Sequence, residues 1–241
     1  MRIIIKKQQK RSTWIGLYTL LITLMLFSVV PSTALKDTTS ILTADHEPTV
    51  AVKWMELLYR VVESESLSAP AAARVYGYGG VTLYEAVVNG MPENFSLTGQ
   101  VQELPMMPIP DDDTVLDWPS VANSAMAVVT PNLFIDPAES TLTAITDTYD
   151  ELIELRSTDI DAKVLEDSLA FGEVIGNTLV DWIASDGYAE IVDKAYELPE
   201  GGPAVYVLTN PDIAPIEPYW GTLRPLALYF AEVCNLPLNM P

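Results

Sequence analysis

IDAKVLEDSLAFGEVIGNTLVDWIAS, residues Ile160–Ser185, is the longest helical pattern in the chain. Its apolar residues recur every three or four positions, as they do on one face of an α-helix. The apolar residues are Val164, Leu165, Phe171, Ile175, Leu179, Trp182 and Ile183. Gly172 and Gly176 lie four residues apart, so we expect one face of this helix to approach a neighbouring helix closely. Asp186-Gly187 follows and is expected to close the helix.

The close-packing glycines of this helix belong to a protein core rather than to a membrane dimer. The membrane interpretation of glycines four residues apart requires a long apolar segment. This segment instead carries several carboxylates, namely Glu166, Asp167, Glu173 and Asp181. Core packing is therefore the better interpretation of the spacing.

Four segments earlier in the chain also predict helices with one apolar face. They are Pro48–Glu65, about Pro70–Asn89, Pro119–Thr130 and Asp136–Arg156. The residues expected to face the core are Val50, Trp54, Leu57, Leu58, Val61, Val62, Leu83, Tyr84, Val87, Val88, Leu142, Ile145, Tyr149, Leu152 and Ile153. The predicted fold class is therefore all-α.

Capping signals support two of these starts. Ser68 precedes Ala69-Pro70, and Asp136 precedes Pro137-Ala138-Glu139. A serine or aspartate at the cap position, followed by proline in the first turn, is typical of a helix N-terminus. We therefore predict that Ser68 caps the second helix and Asp136 the fourth.

Two segments are expected to lack regular structure. Residues 91–117 form a long loop, whose acidic run Asp111–Asp113 is interpreted as solvated rather than calcium-binding, because no glycine and glutamate follow at EF-hand spacing. From residue 189 onward prolines interrupt the pattern, and a long irregular segment is expected to wrap another surface or cover a site. The helical bundle is therefore expected to be incomplete in this chain.

The first 34 residues have the organisation of a secretory signal peptide. A basic stretch precedes the apolar run Trp14–Val30, and small residues precede a predicted cleavage site after Ala34. Residues 35–47 are predicted to be a flexible linker, and residues 48–241 the helical portion. The apolar run is just long enough to span a bilayer, so an uncleaved membrane anchor is the alternative. In both cases the rest of the chain is expected to be exported, to the periplasm or the extracellular space.

The charge distribution excludes one class of partner. The chain carries 13 Lys and Arg against 33 Asp and Glu, a net charge of −20, and every acidic residue lies after Lys36. Such an acidic surface repels phosphate backbones and anionic membrane surfaces. Nucleic acid is therefore not an expected partner, and membrane contact is expected only through an uncleaved leader.

The sequence contains few residues of the types that commonly carry out catalysis. The chain has one histidine, His46, and one cysteine, Cys234, so triads, Cys/His pairs and His/Cys metal sites lack their components. His46 is expected to be exposed in the linker, and Cys234 to be a structural thiol. Beyond the linker the seven Lys and Arg are distributed over different elements, which does not suit an oxyanion cradle. We therefore predict no catalytic, cofactor-binding or metal-binding residues, although a carboxylate-only site stays open.

Several short landmarks resemble, in the same order, the opening helices of bacterial vanadium-dependent haloperoxidase-related proteins. These belong to the type 2 phosphatidic-acid-phosphatase superfamily, and the resemblance covers roughly residues 50–235. The landmarks are WMELL at 54–58, SAPAAAR at 68–74, LYEAVV at 83–88, Asp117-Trp118-Pro119 with Ala122-Asn123, Phe171-Gly172 with Trp182, Asp186-Gly187, and PYWGTLRP at 218–225. The resemblance implies an all-α fold with a vanadate or phosphate site in the later half of the enzyme.

The family's site residues are absent from this sequence. The resemblance implies a lysine with an Arg-Pro pair, a Pro-Ser-Gly-His stretch, and an arginine with a second histidine, and none of these clusters occurs here. Arg224-Pro225 belongs to the PYWGTLRP landmark, which precedes the catalytic half, so no catalytic role is assigned to it. Vanadate is implied only for the complete enzyme.

Two hypotheses follow. The first is that the chain is the amino-terminal, non-catalytic portion of an exported haloperoxidase-like or acid phosphatase-like enzyme, with its carboxy-terminal catalytic half as the missing partner. The alternative is an exported acidic all-helical binding or scaffold module without enzymatic activity.

Overall fold

The architecture is helical throughout the part of the chain that the structure describes. The structure is a computed structural model that describes residues 39–197, 207–208, 210 and 212–229. Its α-helices are α1 Thr49–Ser64, α2 Ala69–Val87, α3 Trp118–Val129, α4 Glu139–Ser157, α5 Ala162–Ala184 and the one-turn α6 Tyr188–Ile191. Short 3-10 helices occur at Thr43–Asp45, Val88–Gly90, Thr130–Leu133 and Trp220–Thr222. The described residues contain no β-strand, and the predicted all-α class is confirmed.

Helix α3 lies at the centre of the bundle. It contacts α1, α2, α4 and α5, and its most extensive contact is with α5. Ten of its twelve residues are buried, including the polar residues Ser120, Asn123 and Ser124. When other helices surround a helix, its polar side chains lose their contact with water. This costs least for a helix whose side chains are apolar or small on all sides. The composition of WPSVANSAMAVV therefore explains why α3 is the central helix.

The predicted close approach of α5 to a neighbour is confirmed, and the neighbour is α3. A Cβ atom added at Gly172 would clash with the carbonyl oxygen of Val121 and lie 2.7 Å from Cβ of Ser124. A Cβ atom added at Gly176 would lie 2.7 Å from Cβ of Val128. The two glycines therefore set the distance between these helices.

One continuous hydrophobic core joins the five long helices. Trp54, Leu58, Met126, Leu152 and Leu179 are among its fully buried members. The loop between α2 and α3 also contributes to it, since Leu104, Met107 and Leu116 are buried there. The acidic run 111–113 in the same loop is exposed, as the sequence predicted.

The two predicted helix caps have different outcomes. Ser68 accepts a hydrogen bond from the backbone N–H of Ala71 at 3.3 Å, so the first cap is confirmed. The prediction for Asp136 is wrong, because α4 begins at Glu139 and Asp136 has a positive φ of 53°. Glu65, at the end of α1, accepts hydrogen bonds from the N–H of Ala138 and the hydroxyl of Thr141. The carboxylate of Glu65, at the end of α1, thus accepts hydrogen bonds at the start of α4, where the sequence predicted such a role for Asp136.

The register of α4 also differs from the prediction at one position. Leu142 was expected to face the core but is 41% exposed, whereas Ile145 and Leu152 are buried as expected. Thr141 is buried instead of Leu142, because its hydroxyl is bonded to Glu65. The polar contact therefore fixes the rotation of the first turn of α4.

Residues 39–47, the described part of the predicted linker, contact the helical core. The hydroxyl of Thr43 donates to the carbonyl of Val87 at 2.9 Å, and the hydroxyl of Ser40 accepts from the N–H of Leu116 at 2.8 Å. His46 is half-buried rather than exposed. The predicted leader and Cys234 lie outside the described residues. Among the helices that are described, none has both the length and the apolar character needed to cross a membrane.

Candidate functional site

A buried ion pair joins α2 to the end of α5. Nε of Arg74 lies 2.6 Å from Oδ2 of Asp186, and both side chains are buried. Nη1 of Arg74 donates to the carbonyl of Leu133 at 2.9 Å, and Oδ1 of Asp186 accepts from the N–H of Tyr188 at 2.9 Å. The pair therefore connects α2, the turn after α3 and the start of α6.

Arg224 reaches the same place from the irregular segment after α6. Its backbone N–H donates to the carbonyl of Asp186 at 3.0 Å. Its guanidinium donates to the hydroxyl of Ser185 at 2.7 Å, to the carbonyl of Trp182 at 2.8 Å and to the hydroxyl of Tyr78 at 3.4 Å. Its buried Nε has no hydrogen-bond partner within the part of the chain that the structure describes. Two arginines that are far apart in the sequence thus meet at the C-terminal end of α5.

Aromatic rings enclose both guanidinium groups. That of Arg74 lies 5.1 Å from the ring centroid of Tyr78 and 4.6 Å from that of Tyr188. That of Arg224 lies 4.7 Å from the ring of Trp182. The face of an aromatic ring attracts a cation, and the attraction is stronger when water is excluded. These contacts hold the arginines in place without adding negative charge.

The phenol of Tyr78 is held in its neutral form. Burial, followed by the nearby carboxylate of Asp186, raises the pKa of Tyr78 to about 12. Both causes disfavour the phenolate, because it would be a poorly solvated anion next to another anion. Tyr78 therefore presents a neutral hydroxyl to this site over the physiological pH range.

These groups line a cavity whose lining contains both charged and apolar residues. Its volume is about 460 Å³, within the range of small-molecule sites. Arg74, Tyr78, Asp186 and Arg224 form the polar part of the lining. The apolar part comes mainly from the irregular segment: Trp220, Leu223, Pro225, Leu226 and Leu228.

A second buried ion pair lies at the start of α3. Nη2 of Arg156 is 2.7 Å from Oδ1 of Asp117, and Nε of Arg156 donates to Oδ2 at 3.1 Å. The same carboxylate caps α3 through the N–H of Ser120 at 3.1 Å. Hydrogen bonding to Asp117 raises the pKa of Arg156. The donors and acceptors of this cluster satisfy one another, which indicates a structural role.

The described residues bring few other reactive groups together. His46 lines a separate cavity of about 210 Å³ with Trp118 and Val87. None of the residues around this cavity also lines the arginine cavity. Within the described ranges, no three His, Cys, Asp or Glu side chains form a possible metal site.

The arginine cavity was not found by sequence reasoning. The seven Lys and Arg after the linker were interpreted as lying on unrelated elements, whereas the structure places Arg74 and Arg224 in one cavity. Arg74 did carry a signal, since its neighbours Ala71, Val75 and Tyr78 form a buried helix face. A charged residue beside such a face needs a buried partner. The identity of that partner, Asp186, depends on the packing of α2 against α5.

The chain is similar in fold to the first bacterial vanadium-dependent iodoperoxidase, as seen in its crystal structure. The two share 21% sequence identity with a TM-score of 0.65, over 76% of this chain and 43% of the iodoperoxidase chain. No protein-family profile and no curated protein matches this chain. The described helices therefore have a haloperoxidase-like fold, and they span less than half of that enzyme.

Proposed function

We propose that this chain is the amino-terminal, non-catalytic helical portion of an exported vanadium-dependent haloperoxidase-like enzyme. The proposal includes the acid phosphatase-like relatives that share the superfamily, and it assigns catalysis to a carboxy-terminal half outside this chain. The observation that carries it is the haloperoxidase-like fold, which covers 43% of the iodoperoxidase. In this account the described helices are a scaffold against which the catalytic half packs.

The residues of this chain do not fit vanadate. A vanadate or phosphoryl group needs several cations around its equatorial oxygens and histidines for axial bonding and proton transfer. The arginine cavity supplies Arg74 and Arg224, but Arg74 is already neutralised by Asp186. The only histidine of the sequence, His46, lines a different cavity. We therefore assign no step of halide oxidation to this chain.

Exposed apolar residues support a role as part of a larger assembly. Ile213, Ile216 and Tyr229 in the irregular segment are 60%, 70% and 83% exposed. Met106 and Ile109 in the loop between α2 and α3 are also exposed. The proposal predicts that these side chains form contiguous apolar patches, which are typical of interaction surfaces. A second polypeptide half is the partner that the proposal supplies for them.

The proposal also includes the export of this chain by a cleaved signal peptide. The basic stretch, the apolar run and the small residues before Ala34 are the basis for it. In the mature protein Leu35 is then the first residue, and N-terminal sequencing of the exported protein tests this. A protein that still begins at Met1 in the membrane fraction would support an uncleaved anchor instead.

The function is tested by adding orthovanadate, iodide and hydrogen peroxide to the purified full chain. We expect no vanadate binding by ⁵¹V NMR and no triiodide formation above that of free vanadate, because the donor set is missing. A complete vanadium iodoperoxidase is the positive control. Stoichiometric vanadate binding with iodide oxidation would contradict the assignment of a non-catalytic portion.

The alternative function is an exported acidic binding or scaffold module. The observation in its favour is that the five long helices share one continuous core of their own. Such a module should be monodisperse and should unfold cooperatively without any partner. An aggregating or partly folded product would count against it.

A further inference from the structure

We propose that the arginine cavity binds a small organic anion, a carboxylate or phosphate group on an apolar body, with Arg224 as the main source of attraction. This inference does not depend on the haloperoxidase relationship. It rests on the charge balance of Arg224, on the composition of the cavity and on the contrast between Arg224 and the other buried arginines.

The charge of Arg224 is buried, and its described ion pair is long and has a solvent-exposed partner. Its side chain is only 7% exposed, and among the described residues it forms an ion pair with Glu103, whose carboxylate is 3.7 Å away and 68% exposed. Its hydrogen-bond partners are a serine hydroxyl, a carbonyl and a phenol, all of them uncharged. The adjacent Nε has no hydrogen-bond partner among the described residues. A buried cation is stable when an anion neutralises it, and among the described residues Arg224 has only a solvent-exposed carboxylate at 3.7 Å for this.

Arg74 and Arg156 differ from Arg224, because a close aspartate neutralises the charge of each guanidinium group. Arg74 and Arg156 have aspartate oxygens at 2.6 and 2.7 Å, and both of these carboxylates are buried. The same fold therefore pairs buried guanidinium groups closely where the pairing is structural. Arg224 departs from that pattern: it lines the cavity, but the carboxylate of its described ion pair, that of Glu103, is exposed and lies farther away, at 3.7 Å.

The cavity composition defines the class of ligand. Arg74 and Asp186 neutralise each other, so Arg224 leaves the lining with a net positive charge. This local positive charge is opposite in sign to the net charge of the chain, which is −20. The apolar side chains of Trp220, Leu223 and Leu226 then favour an apolar body over a fully hydrated inorganic ion. A cationic or purely apolar ligand would bring no anion into the cavity and would leave Arg224 with the exposed Glu103 as its described ion-pair partner.

The test is isothermal titration calorimetry of the full chain with benzoate and with phenyl phosphate. We expect at least one of them to bind in a 1:1 ratio, and the better of the two identifies the anionic group. Benzamide, a neutral analogue of benzoate, and inorganic phosphate, which lacks the apolar body, should each bind at least tenfold more weakly. Failure of both organic anions to bind at millimolar concentration would overturn the proposal, and so would equal binding of benzamide.

Three variants identify the site. Arg224→Gln should weaken binding at least tenfold, whereas Arg60→Gln, which removes the same charge from an exposed position on α1, should not change it. Ala73→Phe fills the cavity from its exposed rim and keeps every charged group, so it should also abolish binding. If Arg224→Gln does not fold, anion binding by Ala73→Phe alone tests the proposal. Unchanged binding by folded Ala73→Phe or Arg224→Gln would place the anion elsewhere and refute the proposal.

Discussion

Asp117 and Arg156 show how single residues stabilise this fold. The carboxylate is 3% exposed and holds both a guanidinium and the first turn of α3. Removing one partner of a buried ion pair leaves an uncompensated charge, which costs about 3–5 kcal/mol. The exposed pair between Lys53 and Glu151 has similar geometry but lies in water, where such pairs contribute about 1 kcal/mol or less.

We therefore predict that Arg156→Gln lowers the free energy of unfolding by about 3 kcal/mol or more. Lys53→Gln, the matched control, should lower it by less than about 1 kcal/mol. Urea unfolding followed by circular dichroism measures both values. Equal, small losses in the two variants would show that the buried pair contributes no more than a surface pair.

Tyr78 gives a prediction about alkaline pH. Its pKa is raised to about 12, by burial first and then by the Asp186 carboxylate, from an ordinary value of 10.0. Between these two values the unfolded chain loses the phenolic proton and the folded chain keeps it. The contribution of Tyr78 to stability is therefore complete below pH 10 and is lost as the pH rises toward 12.

The measurement is the free energy of unfolding of the wild type and of Tyr78→Phe from pH 8 to pH 11. We expect the wild type to lose more stability than Tyr78→Phe above pH 10, because phenylalanine cannot ionise. Parallel curves for the two proteins would mean that the folded and unfolded states hold this proton equally.

At the scale of elements, the contact between α3 and α5 depends on the absence of a side chain at Gly172. Gly172→Ala should lower stability by about 1–3 kcal/mol, because the new methyl group meets the backbone of Val121, which cannot move away alone. Gly80, in α2, has no atom within 4 Å of an added Cβ. Gly80→Ala should therefore raise stability by about 0.5–1 kcal/mol through helix propensity.

Thermal unfolding of the two alanine variants tests this packing. The expected changes in Tm are opposite in sign although the substitution is the same. A gain in Tm for Gly172→Ala would mean that α3 and α5 are farther apart than described.

Periodicity was sufficient to predict the elements, but not their ends or neighbours. All five long helices and the close approach of α5 follow from local sequence, because an apolar stripe every three or four residues is a local property. The start of α4 was missed because the carboxylate that bonds to it is that of Glu65, which follows α1 and is distant in the sequence. The arginine cavity was missed for the same reason, since α2, the end of α5 and the irregular segment meet only in three dimensions.

At the scale of the whole molecule, the acidic charge should oppose folding. With a net charge of −20, like charges repel more in the compact state than in the unfolded chain. Salt screens this repulsion, since the Debye length falls from about 30 Å at 0.01 M to about 3 Å at 1 M. We therefore predict that Tm rises as NaCl increases from low to high concentration.

A charge-reversed variant provides the control for that prediction. Replacing the exposed run with Asp111→Lys, Asp112→Lys and Asp113→Lys reduces the net negative charge without touching the core. The rise in Tm with salt should be smaller in this variant. A Tm that falls with NaCl in the wild type would show that attractive ion pairs outweigh the net repulsion.

The central claim is that these helices are the non-catalytic part of a two-part haloperoxidase-like enzyme, and it is tested most directly by sequencing the genomic DNA downstream of the Pro241 codon. We predict coding sequence with a Ser-Gly-His stretch followed by an arginine with a second histidine. A stop codon followed by an unrelated gene would contradict the claim and would favour the alternative proposal of a binding or scaffold module.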